Sequence, residues 1–430
     1  MTTALYESKP LECWGKLKEL RRKQVRELWQ AKEKGNLLLM GVMGFLTSLP
    51  AGFGDYKSFG LGPNFGRIME DPEQASRVLA AAEARGYDLD TCPTLRSSLG
   101  ALFSGTFDLA PSGQRVRPDL LIEARVCQPQ GKFAQLWNEY YGVPTFIVDM
   151  PPSIHQKQYL VDQMNDAIEW MEKVTGRTYD DEKLIPAVEN EWESRVLWAR
   201  MCMYLKVTPA PLDQLMMFSF EATFWRGRHQ PESIELMRLA HDEVAYRAAH
   251  RIAALATERC RLLHEGVATW YHSQVLRYPR RYGAVYMGSQ QLFGDWGAYT
   301  LAEDGTLTPI STLKEMGRRL NSRQEALETL AELYLAYGGH GMCTDMEKRI
   351  LIRLAIARDW NVDGVVFNME RGCKGTTSTH TETAWELKKR GIPCMPYDGS
   401  SCNPKEFNEA EYMSRFDALM ESLGLKPLDA

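Results

Sequence analysis

Asp119-Leu-Leu-Ile-Glu-Ala124 runs directly into Arg125-Val-Cys127-Gln-Pro-Gln-Gly-Lys132, and this stretch decides how the chain is read. Its aliphatic centre has the length of a strand, and Pro129 and Gly131 supply turn chemistry just beyond it. A short apolar run bounded in this way is expected to be a strand covered on both faces. The pattern repeats on either side. Residues 36–42 (NLLLMGV) form another apolar run, opening into a loop rich in small residues at Gly41 and Gly44. Residues 144–148 (PTFIV) form a third and end at Asp149-Met-Pro-Pro. Residues 71–85 have helical period and lead to Cys92. Strands alternating with helical segments predict a parallel, doubly wound sheet, with ligands bound beyond the carboxyl ends of its strands.

The alternation stops and then resumes. Residues 12–35 read as a charged helix closed by Gly35, and residues 155–265 are helical and charged, with Pro209, Pro211 and Pro231 as breaks. Residues 283–287 (GAVYM), 364–368 (GVVFN) and 392–396 then read as strands, and 322–337, 345–358 and 409–423 as helices. The expected organisation is an N-terminal helix (1–35), a first α/β lobe (36–154), a helical segment (155–265) and a second α/β lobe (266–430). The fold class is α/β, with two doubly wound parallel-sheet lobes joined by a mainly helical segment. The lobes look like structural cousins, although no sequence repeat connects them.

The chain has 430 residues, 44% hydrophobic and 25% charged, enough for two or three domains with a sizeable core. A formal net charge of −5 speaks against nucleic-acid or membrane partners, both of which favour a basic face. The first ten residues show no export pattern, and the apolar run at 37–49 is too short to span a bilayer. Nine cysteines, an odd number, are expected to be free thiols or metal ligands in a reducing compartment. A soluble, cytoplasmic protein is expected.

Three of those cysteines stand apart by their flanks: Thr91-Cys92-Pro93, Val126-Cys127-Gln-Pro-Gln-Gly131 and Arg371-Gly-Cys373-Lys-Gly375. Each flank exposes backbone N–H groups that can hydrogen-bond the sulfurs of a cluster. Three thiolates can hold a four-iron cluster and leave one iron open to a substrate. Zinc sites favour close Cys or His pairs, which are absent here. Spacing alone leaves cluster ligands and ordinary thiols both open. Cys13, Cys202 and Cys260 suit small buried hydrophobes, whereas Cys343, Cys394 and Cys402 lie near predicted strand ends or loops.

The chain has no GxxxxGK[ST] motif and no GxGxxG after a strand, which argues against a nucleotide site of either kind. His340 and His380 lie in polar surroundings near the later strands and are candidate proton donors. Thr47 and Ser48, beyond the first strand, are candidate substrate-binding donors to a carbonyl oxygen on which charge develops. Phe45, Phe53 and Phe59 could line a dry pocket nearby or belong to the core.

With these flanks in view, the sequence resembles the 2-hydroxyacyl-CoA dehydratase and benzoyl-CoA reductase family over most of its length. Thr91-Cys-Pro-Thr-Leu-Arg-Ser-Ser-Leu-Gly100 is similar to the family's first cysteine segment, and Pro118-Asp-Leu-Leu121 with Cys127-Gln-Pro-Gln-Gly-Lys132 to its second. Asp149-Met-Pro, Arg261-Leu-Leu-His-Glu-Gly266 with Trp270 beyond, Asp363-Gly-Val-Val366 with Arg371-Gly-Cys373-Lys374, and Ser414-Arg-Phe-Asp-Ala-Leu419 follow in the family's order. The resemblance implies a [4Fe-4S] cluster on Cys92, Cys127 and Cys373. It also implies a paralogous smaller catalytic subunit as partner, an iron–sulfur ATPase as electron activator, and a CoA thioester as substrate.

Residues 46–55 (LTSLPAGFGD) depart from the Pro-Glu-Glu-Leu-like segment of the dehydratases. That favours the reductase branch: the larger, B-type catalytic subunit of an ATP-dependent benzoyl-CoA reductase, adding single electrons and protons to an aromatic acyl-CoA to give a cyclic diene. The alternatives are a subunit of an (R)-2-hydroxyacyl-CoA dehydratase, which recycles the electron, and a non-catalytic scaffold.

Overall fold

The computed structural model describes residues 4–41, 45–60, 65–225, 227–269, 271–337 and 346–428. The strands in chain order are β1 (Leu37–Gly41), β2 (Tyr56–Phe59), β3 (Leu120–Arg125), β4 (Thr145–Asp149), β5 (Cys260–Glu265), β6 (Ala284–Tyr286), β7 (Tyr299–Leu301), β8 (Leu307–Pro309), β9 (Gly364–Asn368) and β10 (Cys394–Tyr397). One sheet runs β2-β1-β3-β4 and another β10-β9-β5-β6, with every neighbouring pair parallel. β7 and β8 form a small antiparallel hairpin. Counted in its own chain order, each four-stranded sheet reads second, first, third, fourth. The two lobes therefore share one topology. Their strand order reverses between β1 and β3 and between β5 and β9, and a doubly wound fold opens a ligand crevice at such points.

The close approach at these points is built on glycine. Gly41 ends β1 at φ +89°, and a Cβ there would lie 1.7 Å from the Ile122 carbonyl oxygen of β3. Gly266, just after β5, has φ +96°, and a Cβ there would meet the Asn368 carbonyl oxygen of β9 at 2.9 Å. The two lobes thus use the same device at equivalent places.

Before β1 lies α1 (Trp14–Trp29); α2 (Phe65–Met69), α3 (Pro72–Glu83) and α4 (Pro93–Phe103) join β2 to β3, and α5 (Gln128–Tyr141) joins β3 to β4. α6 (Lys157–Thr175), α7 (Asp181–Met203), α8 (Gln214–Phe224) and α9 (Pro231–Ala249) form the helical middle. α10 (Gln274–Arg277), α11 (Arg323–Glu332), α12 (Met346–Asp359), α13 (Lys374–Thr377), α14 (His380–Lys389) and α15 (Glu409–Ser422) follow. Local chemistry accounts for many boundaries: the Asp71 carboxylate accepts the N–H groups of Glu73 and Gln74 at the start of α3, and left-handed Gly142 ends α5.

β1 is covered on both faces, as its unbroken apolar run predicts. Leu37 and Leu39 pack with α6 and α7, while Leu38 and Met40 pack with residues of α3, α4 and α5. α7 joins the lobes physically: Leu184, Val188, Trp192 and Val196 enter the first lobe's core, and Leu197, Trp198, Met201 and Cys202 the second's.

Three features differ from expectation. β5 lies in the stretch expected to be helical, because its Arg261, His264 and Glu265 mask strand character although all three are buried. The second sheet thus starts at Cys260, earlier than a lobe boundary at 266. α11, expected in the second lobe, packs on α6 and α7 in the core of the first. α1 is no separate appendage, since Leu17 and Leu20 join the second lobe's core and Leu28 the first lobe's.

Candidate functional site

Cys92, Cys127 and Cys373 each occupy the N-cap position of a helix, α4, α5 and α13 respectively, and all three are partly buried. Cys127 follows β3 and Cys373 follows β9, so each lies beyond the carboxyl end of a strand that flanks its lobe's switch point. The Cys92 and Cys373 segments touch. A Cβ on Gly372 would lie 2.6 Å from the Thr91 carbonyl oxygen and 2.7 Å from Pro93 Cδ. Arg371 clamps Asp90 from the same side through two hydrogen bonds of 2.5 and 3.0 Å.

Burial pushes the Cys92 and Cys373 thiols up to about 12, and the Glu370 charge adds to it. The Leu95 N–H eases Cys92 down, and the Thr376 N–H and hydroxyl ease Cys373. Cys127 acts electrostatically on Cys92, and Cys92 on Cys373. Thiols held so far from ionising become thiolates only beside strong positive charge, as a bound metal would supply. Among the described residues no three His, Cys, Asp or Glu side chains close on one point as a single ion requires. A four-iron cluster asks for a wider spread, because each thiolate holds a different iron.

Glu370 went unread in the sequence, and Cys402 was marked only as lying near a predicted strand end or loop. Glu370 is fully buried; its Oε1 accepts the N–H and the hydroxyl of Ser401, both at 2.6 Å, and burial raises its carboxyl to about 7. Cys402 is fully buried with Ser401 Oγ 3.5 Å and Thr94 Oγ1 4.0 Å from its sulfur. Glu370 has no local signature, and both residues gain their surroundings from the loop after β10, which folds onto α4. Glu123 carries a readable signal, as one acid inside an aliphatic run. It is buried on β3, and burial lifts its carboxyl to about 8.

Thr47 and Ser48 lie beyond β1, where a ligand crevice is expected, yet their hydroxyls are committed. Thr47 Oγ1 donates to Glu191 Oε2 at 2.8 Å and Ser48 Oγ at 2.5 Å. Tyr334 donates to Glu191 Oε1 at 2.8 Å and accepts the Leu46 N–H at 2.8 Å. In this structure the hydroxyls expected to donate to a substrate carbonyl hold a buried carboxylate instead. Burial pulls Glu191 up, but the Arg195 and Arg228 charges and the Ser48 and Tyr334 hydroxyls outweigh it and keep the carboxylate ionised. Phe45 packs edge-on against Tyr334, while Phe53 and Phe59 are buried against Tyr179 and Phe107 as core.

His380 opens α14 and is 1% exposed, with neither ring nitrogen partnered among the described residues. Burial, then the Arg353 and Arg349 charges, hold its pKa well below the usual imidazole range. A neutral ring can donate or accept a hydrogen bond but carries no extra proton to deliver. Arg353 in turn pairs at 3.0 Å with Glu265, which accepts the Gln290 N–H at 2.8 Å. His340, Cys343 and Trp270 lie outside the described residues. Cys13, Cys202 and Cys260 are buried as small hydrophobes.

The 2-hydroxyglutaryl-CoA dehydratase, D-component family matches residues 68–423. The chain is 24% identical to the (R)-phenyllactyl-CoA dehydratase alpha subunit of Clostridium sporogenes, over 80% of each chain. It is also 24% identical to the lactoyl-CoA dehydratase subunit alpha of Anaerotignum propionicum, over 81% of this chain and 82% of that one. The (R)-2-hydroxyglutaryl-CoA dehydratase subunit alpha of Acidaminococcus fermentans matches at 24% over 71% of this chain and 60% of its own. These relatives carry dehydratase names, and none of the three supports the expected ring reductase. Among the described residues no helix is long and apolar enough to cross a membrane. With two lobes wound alike and the family match spanning both, the chain belongs to the 2-hydroxyglutaryl-CoA dehydratase, D-component family.

Proposed function

We propose that this chain is the alpha-type catalytic subunit of a 2-hydroxyacyl-CoA dehydratase, a lyase that removes water from a 2-hydroxyacyl thioester to leave an enoyl-CoA. The observation that carries the reading is the contact between the Cys92 and Cys373 segments at the lobes' facing ends, with Cys127 in electrostatic reach. Dehydration replaces ring reduction because the compared relatives carry dehydratase names. The departure at residues 46–55 was too local to decide the chemistry, since its Thr47 and Ser48 serve Glu191.

Cys92, Cys127 and Cys373 would hold a [4Fe-4S] cluster, which when bound supplies a low-potential electron and an iron open to a ligand oxygen. The chain's own contribution is enclosure and polarity. Cys92 and Cys127 stand at the amino ends of α4 and α5, whose dipoles ease negative charge there, and the Leu95 N–H eases Cys92 further. Buried Glu123 and Glu370 are carboxyls whose raised pKa keeps a proton near neutrality, as a proton-handling group requires. A paired subunit and an ATP-hydrolysing iron–sulfur activator complete the system in this reading.

Anaerobic purification followed by iron and acid-labile sulfide analysis tests it. About four of each per chain, with an electron-spin signal after dithionite, supports the cluster; absence of both sinks it and leaves a scaffold. Cys127→Ser should lose the iron with the fold intact. Product analysis then separates the chemistries: enoyl-CoA without net electron uptake indicates the dehydratase, a cyclic diene with electron uptake the reductase.

A further inference from the structure

The cluster of charge around Glu191 contains one group that the proposed function leaves unused. Arg228, between α8 and α9, is 2% exposed, and its guanidinium stacks 4.4 Å from the Trp296 ring centroid. Neither Nε nor Nη2 has a hydrogen-bond partner among the described residues. Glu191, which offsets its charge electrostatically, is already engaged by Thr47, Ser48 and Tyr334 and lies 3.8 Å from Arg195 Nε. Burial, and next the like charge of Arg195, pull Arg228 down to about 9. A buried guanidinium with two open N–H directions is costly unless an acceptor arrives. Its position also fits a ligand. It lies in electrostatic reach of Glu191, which holds Thr47 and Ser48 beyond β1, and stacks on Trp296 of the second lobe's core; the space between domains is where small molecules bind.

We propose that Arg228 receives an oxygen of the acyl group when an acyl-CoA binds between the lobes, as a donor beside Thr47 and Ser48, whose hydroxyls are engaged by Glu191. This inference rests on the acyl-CoA reading above. The oxygen has two possible sources with one chemistry: the hydroxy-thioester end common to all 2-hydroxyacyl-CoA compounds, or a carboxylate at the far end of the acyl chain. Arg suits either, because its planar fork presents Nε and Nη2 side by side to an oxygen acceptor.

The test is calorimetric binding of lactoyl-CoA, 2-hydroxyglutaryl-CoA and free CoA to the oxidised, anaerobically purified complex, wild type against Arg228→Gln. Loss of a charge-assisted hydrogen bond raises Kd on the order of 10- to 100-fold. Weakening of both acyl-CoA compounds with free CoA unchanged supports the proposal and assigns the common end. Weakening of 2-hydroxyglutaryl-CoA alone supports it and assigns the far carboxylate. Equal binding by wild type and variant overturns it, as does equal weakening of free CoA, which would place Arg228 against the CoA portion. Wild type that binds neither acyl-CoA better than free CoA refutes the acyl-CoA reading itself, a distinct pattern. Should Arg228→Gln fail to fold, a crystal structure of the wild-type complex with each acyl-CoA decides. An acyl oxygen at hydrogen-bond distance from Arg228 Nε or Nη2 supports the proposal, and none at that distance in either complex overturns it.

Discussion

Gly372→Ala is the sharpest test of the convergence of the Cys92 and Cys373 segments. The added Cβ would lie 2.6 Å from the Thr91 carbonyl oxygen and 2.7 Å from Pro93 Cδ, where ordinary contact begins at 3.4 Å. Both obstacles are backbone or ring atoms that cannot rotate away, so the segments must separate by roughly 0.8 Å. Overpacking of this kind costs about 1–3 kcal/mol, a fall of a few degrees in Tm. Metal-ligand distances tolerate only about 0.2 Å. The strain therefore falls harder on cluster assembly than on folding. Iron and sulfide per anaerobically purified chain should drop by more than half, and the electron-spin signal of the reduced protein should weaken or shift. Gly15→Ala is the control, because nothing lies within 4 Å of a Cβ there, and an alanine inside α1 should be neutral or stabilising by up to about 1 kcal/mol. Full iron content, an unchanged spectrum and an unchanged Tm for Gly372→Ala would refute the idea that these segments meet.

Glu123→Gln should stabilise the protein in a pH-dependent way. Burial raises the carboxyl from 4.5 to about 8, so between those values the folded state holds a proton that the unfolded chain releases, and stability falls as pH rises. At 1.36 kcal/mol per pH unit the variant should match wild type near pH 4.5 and exceed it by roughly 4 kcal/mol at pH 8. Denaturant midpoints at both pH values check this, and a pH-independent difference contradicts it. Tyr334→Phe removes one hydrogen bond to the buried Glu191 carboxylate and the acceptor of the Leu46 N–H. It should destabilise by about 2–4 kcal/mol in urea unfolding, and a loss below about 0.5 kcal/mol would show that the network is satisfied otherwise.

Several elements were legible because their signals are local. β1 and β9 are short apolar runs buried throughout, β3 is apolar but for Glu123 and Arg125, and β4 is apolar at its centre, as strands of a parallel sheet look when helices cover it. The three cysteines were singled out by turn-forming flanks, and those flanks are the N-cap positions of α4, α5 and α13. β5 was hidden because a buried strand that carries Arg, His and Glu resembles a charged helix until its partners are known. Arg261 Nε meets Glu258 at 2.8 Å and its Nη1 meets the Trp360 carbonyl at 2.8 Å, from a residue 99 positions away.

The sequence by itself determined the α/β alternation, the covered strands and the family, because hydrophobic period, turn chemistry and ordered motifs act within a few residues of one another. Only the tertiary structure decided that both sheets are wound in the same order, that the Cys92 and Cys373 segments touch, and that Thr47 and Ser48 serve Glu191, which leaves Arg228 with open donors. Those outcomes depend on partners about 140 to 280 residues apart. Whether a hydroxyl donates to a ligand or to a carboxylate is set by what the fold brings to it, and no local pattern records that.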